Sequence, residues 1–171
     1  MTKAQLNAQV NEVFGEDKGR RVVDAFQNGH PTANPFQLWS IIAANSVRGA
    51  AIRQARMKSA QGGAPGYLYW FHWQTPILDG RPMAFHCADL SFCWDNADVC
   101  ETMTGNGPMA RSLAAKMSQA WINFAKTGDP NHAGVPKWPA LSGTSVPTMI
   151  FNDTCLVKDY PDHAEQDAIE A

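Results

Sequence analysis

The sequence predicts a helix-rich α/β protein, and three observations carry that prediction. The chain up to Ala60 reads as consecutive helices, an aromatic and apolar run, GYLYWFHW, then breaks the helical pattern, and a long amphipathic helix is followed by a pair of short late strands.

Each element has a local cause. Thr2 with Gln5 forms a capping box, T-K-A-Q, and Leu6, Val10 and Val13 recur at helical spacing until Gly15 ends the run. Glu16 and Asp17 open a second helix, Val22, Val23 and Phe26 line its apolar face, and Gly29 with Pro31 closes it. Asn34, Pro35 and Gln37 start a third, leading into Leu38, Ile41 and Ile42. The stretch from Arg48 to Ala60, rich in Ala, Arg, Gln, Met and Lys, predicts a fourth, with Gly62-Gly63 as its exit.

GYLYWFHW lacks alternation, which predicts a strand buried on both faces, as in a parallel sheet flanked by helices. Turn chemistry follows in TPILDGRP, so His86 falls on a loop beyond the carboxyl end of a core strand. Leu113, Met117, Trp121 and Phe124 mark one face of a helix from about Pro108 to Lys126, closed by Gly128 and Pro130. After a loop rich in Pro and Gly, TMIFND and CLVKDY read as two short strands and PDHAEQDAIEA as a polar end helix. A parallel strand needs neighbours, and no upstream strand is found to supply one.

Composition bounds the function. A chain of 171 residues suits one domain, and 44% hydrophobic residues with six Trp and eight Phe supply a core. The net charge is −2 and Lys and Arg form no dense run, which argues against a nucleic-acid binder. The amphipathic N-terminus lacks the apolar core of a signal peptide and no segment has the length of a membrane span, so a cytoplasmic location is expected for the chain as written. Cys87, Cys93, Cys100 and Cys155 include no CxxC spacing and are expected as buried free thiols.

Four segments, YLYWFHW, AFHCADLSFCWDN, AWINFAKTGDPNHAGVPKWPAL and MIFNDTCLVKDYPDHAEQDAI, together resemble in order and spacing the C-terminal part of type B carboxylesterases, the group of para-nitrobenzyl esterases and cholinesterases. N-F-A-K-T-G-D-P-N with W-P downstream is the most specific piece, and the aromatic strand followed by H-C-A-D is the next. The resemblance covers essentially the whole chain, 1–171, divided into a helical region, 1–63, and a part, 64–171, with the last core strand, histidine loop, long helix and late strands.

That resemblance implies an α/β-hydrolase fold with His86 at the catalytic-histidine position. There the ring takes a proton from a serine hydroxyl as it attacks a small-molecule carboxylic ester and delivers it to the leaving alkoxide, while a carboxylate orients the ring. No Gly-x-Ser-x-Gly occurs, so the family's layout implies that the serine, the oxyanion hole and the triad glutamate precede residue 1. The expectation is roughly the last third of an esterase, inactive alone. The alternative is a non-catalytic chain that docks on the missing N-terminal part and completes its sheet. Ser91, and Ala44, Val47 and Ala50, stand where family members often carry Pro, and Asp, Phe and Pro, which bears on local packing.

Other chemistries fit less well. None of the serines is flanked by the glycines of a nucleophile elbow, and Ser91 is too close along the chain to face His86. Cys87 as nucleophile fails because adjacent side chains diverge. A zinc site built on His86, Cys87, Cys93 and Cys100 has neither knuckle nor ribbon spacing, so no metal and no cofactor is assigned. His72 reads as a core or pocket residue, and His30, His132 and His163 as solvated. Asp89 is expected to bond the local backbone or order the loop, and Phe92 and Trp94 to line either a pocket or the core.

Overall fold

The computed structural model describes all residues, Met1–Ala171, and divides them into two compact units: Met1–Gln54 with Tyr160–Ala171, and Ala55–Asp159.

The first unit is helical. Helix α1 (Lys3–Phe14) starts on the expected capping box, in which the Gln5 amide donates to Thr2 Oγ1 at 3.2 Å and the Thr2 amide to Gln5 Oε1 at 2.7 Å. Helix α2 (Glu16–Gly29) follows after Gly15, whose φ of 79° lies in the left-handed region that glycine enters without cost. A Cβ at Gly19 would collide with Asn11 Oδ1 and lie 3.3 Å from Asn11 Cα, so this glycine lets α1 and α2 approach closely.

Helix α3 (Pro35–Ala60) corrects the expectation of two helices here: it runs unbroken for 26 residues from the Asn34 cap. Nothing between Ile42 and Arg48 breaks a helix, and Gly49, though mid-helix, is a place of close packing, where a Cβ would meet Gln166 Oε1 at 3.2 Å. Leu6, Val10, Val22, Val23, Phe26, Leu38 and Ile42 form the core of this unit, with Ala168 and Ile169 of α7 (His163–Glu170) packed against it.

A polar network is buried beside that core. Arg48 Nε and Nη2 donate to the two oxygens of Asp162 at 3.0 and 2.8 Å, with the side chains 8% and 4% exposed. Gln166 Nε2 donates to Asp162 Oδ2 at 2.8 Å and to Asn45 Oδ1 at 2.7 Å. The helices of the chain's first third are thereby joined to its last helix through a two-pronged ion pair.

The second unit is built on three strands in the order β1 (Leu68–Phe71), β2 (Pro147–Phe151), β3 (Leu156–Asp159). β1 and β2 are parallel, with Leu68 opposite Thr148 and Phe71 opposite Phe151, and β2 and β3 are antiparallel. The parallel character expected of β1 is thus present, but its partner comes from downstream. The strand buried along its whole length is β2, whereas β1 has four residues, lies at the sheet edge and is only half-buried beyond Leu68.

Between β1 and β2 come a 3-10 turn (Ile77–Gly80), two one-turn helices, α4 (Leu90–Cys93) and α5 (Glu101–Thr104), and the long α6 (Pro108–Thr127). None of the short pieces has the length that would give a periodic signal in sequence. α6 opens with Pro108 in its first turn and ends at Gly128, whose φ of 76° admits the closing N–H bond to Phe124 O at 2.8 Å. Trp73, Phe92, Leu113, Met117, Trp138, Met149 and Phe151 make the core of this unit.

The stretch T-G-D-P-N and its downstream tryptophan form a clip. Asp129 Oδ1 accepts the Asn131 amide at 2.9 Å and Asn131 Nδ2 at 2.6 Å. Asn131 Nδ2 also donates to Trp138 O at 2.8 Å while its Oδ1 accepts the Trp138 amide at 2.7 Å, and Asn123 Nδ2 of α6 donates to Asn131 O at 2.8 Å. Trp138 Nε1 then donates to Leu68 O at 3.2 Å, which fastens the loop to β1. His132, expected to be solvated, is instead half-buried: its Nδ1 accepts the Gly134 amide at 3.1 Å, which leaves the proton on Nε2 to bond Lys116 O at 3.0 Å.

Two stability predictions follow from these contacts. Asp162→Ala leaves the Arg48 charge buried without its carboxylate and costs about 3 to 5 kcal/mol, read as a lower midpoint in urea. Asn131→Ala costs about 2 kcal/mol by the same measurement. It also weakens acid sensitivity: the backbone N–H and the side-chain N–H of Asn131 together hold the Asp129 carboxyl below the usual range, and the variant loses the second. The side-chain share of that stabilisation is present above the ordinary carboxylate pKa and lost as pH falls through the lowered folded value, so the gap between variant and parent narrows at low pH while the part due to the Trp138 bonds remains.

Candidate active site

His86 stands on the loop that follows β1, at the second position of a tight turn closed by the Ala88 amide on Phe85 O at 3.0 Å. Cys87, at the third position, has φ of 65°. A type II turn requires that value there, and a residue with a Cβ adopts it at a cost of about 1 kcal/mol. Five of the seven non-glycine residues with left-handed φ, Leu78, Asp79, Met83, Cys87 and Asp95, lie on this one segment. Strain of this kind persists where the surroundings dictate the backbone, and it gathers at working sites.

The surroundings are visible on the C-terminal side of the turn. Ala88 is buried, Ser91 Oγ donates to Ala88 O at 3.2 Å, and Phe92 packs on Phe71 and Trp73 with ring centroids 5.0 and 4.9 Å away. Asp89 accepts the Tyr69 hydroxyl at 2.7 Å on Oδ2. The His86 imidazole itself is exposed and takes part in no side-chain hydrogen bond or ion pair within the chain, so it is open to a reaction partner.

The remaining candidates are placed elsewhere. His72 is half-buried and meets Trp70 edge-on at 4.2 Å. His30 is half-buried against Phe26 rather than freely solvated, and His163 is exposed beside Asp167. Phe92, fully buried, is a core residue, while Trp94 is 70% exposed and belongs to neither the core nor an enclosed pocket. Ser91 spends its hydroxyl on Ala88 and faces no histidine.

The cysteines correct the expectation of four buried thiols. Cys93 is buried, Cys100 and Cys155 are half-buried, and Cys87 is exposed because the turn that presents His86 presents its neighbour as well. Burial, with the Asp89 charge adding to it, pushes the Cys93 thiol up to about 12. Burial likewise raises Cys155. No three His, Cys, Asp or Glu side chains converge in an arrangement that could hold a metal ion.

Tyr69 was not among the sequence candidates. The signal for it was the strand period, which puts Tyr67, Tyr69 and Phe71 on one face. On that face Tyr69 meets Trp121 at 5.0 Å and Phe151 at 5.9 Å, both edge-on. Beside it lies an apolar cleft of about 200 Å³ lined by Tyr67, Tyr69, Trp121, Phe124, Pro130 and Trp138. Burial first, and the bond to Asp89 second, raise the Tyr69 hydroxyl pKa far above the usual tyrosine value.

The family model described as the carboxylesterase family matches residues 27–168. The chain is 29% identical over 122 residues to phenmedipham hydrolase of Pseudarthrobacter oxydans, an alignment that covers 67% of this chain and 24% of that protein. It is 32% identical over 101 residues to para-nitrobenzyl esterase of Bacillus subtilis, covering 58% of this chain and 20% of that one. Among solved structures it resembles a Geobacillus stearothermophilus carboxylesterase with a TM-score of 0.72 at 30% identity, over 87% of this chain and 31% of that one. An esterase of Clostridium hathewayi gives 0.71 at 26% identity, over 99% of this chain and 33% of that one. The fold is that of the α/β-hydrolase esterases, and the chain spans about a quarter or less of the curated relatives' length.

The thiols supply a direct check of the turn. At pH 8 an alkylating reagent is expected to modify Cys87 in the folded chain while Cys93 reacts only after unfolding, as read by peptide mass spectrometry; equal labelling of the two would contradict this packing.

Proposed function

We propose, since the chain belongs to the carboxylesterase family, that it carries the general base of a carboxylic ester hydrolase and that His86 is that base. In this reading the neutral ring accepts the proton of a serine hydroxyl as the oxygen attacks the ester carbonyl. The imidazolium then gives that proton to the departing alkoxide, and the same two transfers, with water in place of the serine, release the acid. A single observation supports the choice of His86 over the other histidines: its ring is exposed and uncommitted on a backbone turn fixed from below, whereas His132 has both nitrogens occupied.

The nucleophile, the oxyanion donors and the triad acid come, in this reading, from polypeptide outside the 171 residues, because these include no Gly-x-Ser-x-Gly. The substrate class is a small-molecule carboxylic ester. Asp89 is not the triad acid, since its Oδ2 accepts the Tyr69 hydroxyl at 2.7 Å. The second reading, a non-catalytic chain that docks by sheet completion, draws support from the unpaired edge of β1.

The test replaces the matching C-terminal segment of the Bacillus subtilis para-nitrobenzyl esterase with residues 1–171. The chimera is expected to hydrolyse p-nitrophenyl acetate in a phosphonate-sensitive manner. His86→Ala should lower kcat about 10⁴-fold or more, with His163→Ala unchanged. The chain by itself should show no phosphonate-sensitive turnover. A folded, active chimera indifferent to His86→Ala would overturn the assignment, and turnover by the chain alone that is lost on His86→Ala would overturn the need for outside residues.

A further inference from the structure

The residue that follows the turn carrying His86 is bonded to the sheet, and three elements surround that bond. Tyr69 projects from β1, and its ring is held edge-on by Trp121 of α6 and Phe151 of β2. Three separate elements therefore set where its hydroxyl lies. Asp89, which accepts that hydroxyl at 2.7 Å, sits three residues beyond His86, and its own carbonyl accepts the amides of Phe92 and Cys93 at 3.0 and 2.9 Å. A charged acceptor makes this bond about twice as strong as one between neutral groups.

We infer that the Tyr69–Asp89 pair positions His86, by clamping the C-terminal end of the strained Phe85–Ala88 turn to β1. This rests on the reading of His86 as the base, but the clamp itself concerns only the turn. The chain has reason to need one. Cys87 is in a left-handed conformation that its side chain disfavours, so without an anchor the turn relaxes toward ordinary backbone and swings the imidazole away. The clamp is selective, because the hydroxyl can be removed without the ring: Tyr69→Phe keeps the contacts to Trp121 and Phe151. It is also distinct from charge stabilisation of the imidazolium, because Asp89→Asn keeps an oxygen to accept the hydroxyl while removing the charge.

Amide exchange and ¹⁵N relaxation on the chain itself test the clamp. Tyr69→Phe and Asp89→Ala are expected to speed exchange at Ala88 and Leu90 by about tenfold or more and to increase backbone motion at His86 and Cys87. The α6 amides should not change, and Asp89→Asn should restore part of the protection that Asp89→Ala loses. In the chimera, Tyr69→Phe should lower kcat by about 10- to 100-fold with KM within about twofold, and Asp89→Asn should leave the midpoint of the pH profile in place. Unchanged exchange in Tyr69→Phe, or release of the turn by Asp89→Asn as complete as by Asp89→Ala, overturns the proposal. A fall in kcat for Asp89→Asn as large as that for His86→Ala overturns it in favour of Asp89 as the triad acid. If activity survives His86→Ala, the catalytic reading is lost while the exchange data still decide the clamp.

Discussion

The second unit depends on the parallel pairing of β1 with β2. Two parallel neighbours cannot be joined by a hairpin, so the chain must leave the end of β1, cross the sheet and return to the start of β2. Everything between Phe71 and Pro147 is that crossing: the histidine turn, the one-turn helices, α6 and the Asn131 clip. The His86 turn belongs to this connection, which begins at the carboxyl end of β1. In open α/β sheets this is the place where loops collect the groups that do chemistry.

The crossing also explains why the most specific stretch of sequence lies far from the histidine. A long connection returns to the right register only if its exit is fixed, and the clip fixes it twice. Asn131 ties the end of α6 to Trp138, and Trp138 ties the whole to the carbonyl of Leu68. Its polar residues are spent on each other and on backbone, which marks it as scaffold, while the imidazole left uncommitted is at the opposite end of the same connection.

What could be read from the sequence follows the range of the interactions involved. α1, α2, α6 and α7 were legible because caps, glycine stops and apolar spacing are local. The same local logic divides α3 in two, because its weakly amphipathic middle with no breaker gives no reason for either outcome until the contacts of Asn45 and Gly49 with Gln166 of α7 decide it. The place of His86 was legible from the strand and turn before it. The Tyr69–Asp89 bond, the exposure of Cys87 and the two bonds of His132 were not, because each joins residues by way of tertiary geometry or depends on a φ value. The depth of β1 is not legible for a related reason: aromatic content reports on one face of a strand, and the sheet edge is set by which other strand pairs with it.

The buried pair between Arg48 and Asp162 has a consequence for the order of events during synthesis. The helical unit is discontinuous, made of the first stretch of the chain and its last, with the whole β-containing unit inserted between them. Synthesis delivers α1, α2 and the first part of α3 before α7, so Arg48 lacks the Asp162 carboxylate, and the core of Leu6, Val22 and Phe26 lacks Ala168 and Ile169, until residues 160–171 emerge. The inserted unit, Ala55–Asp159, is available to fold before the helical unit is closed by α7.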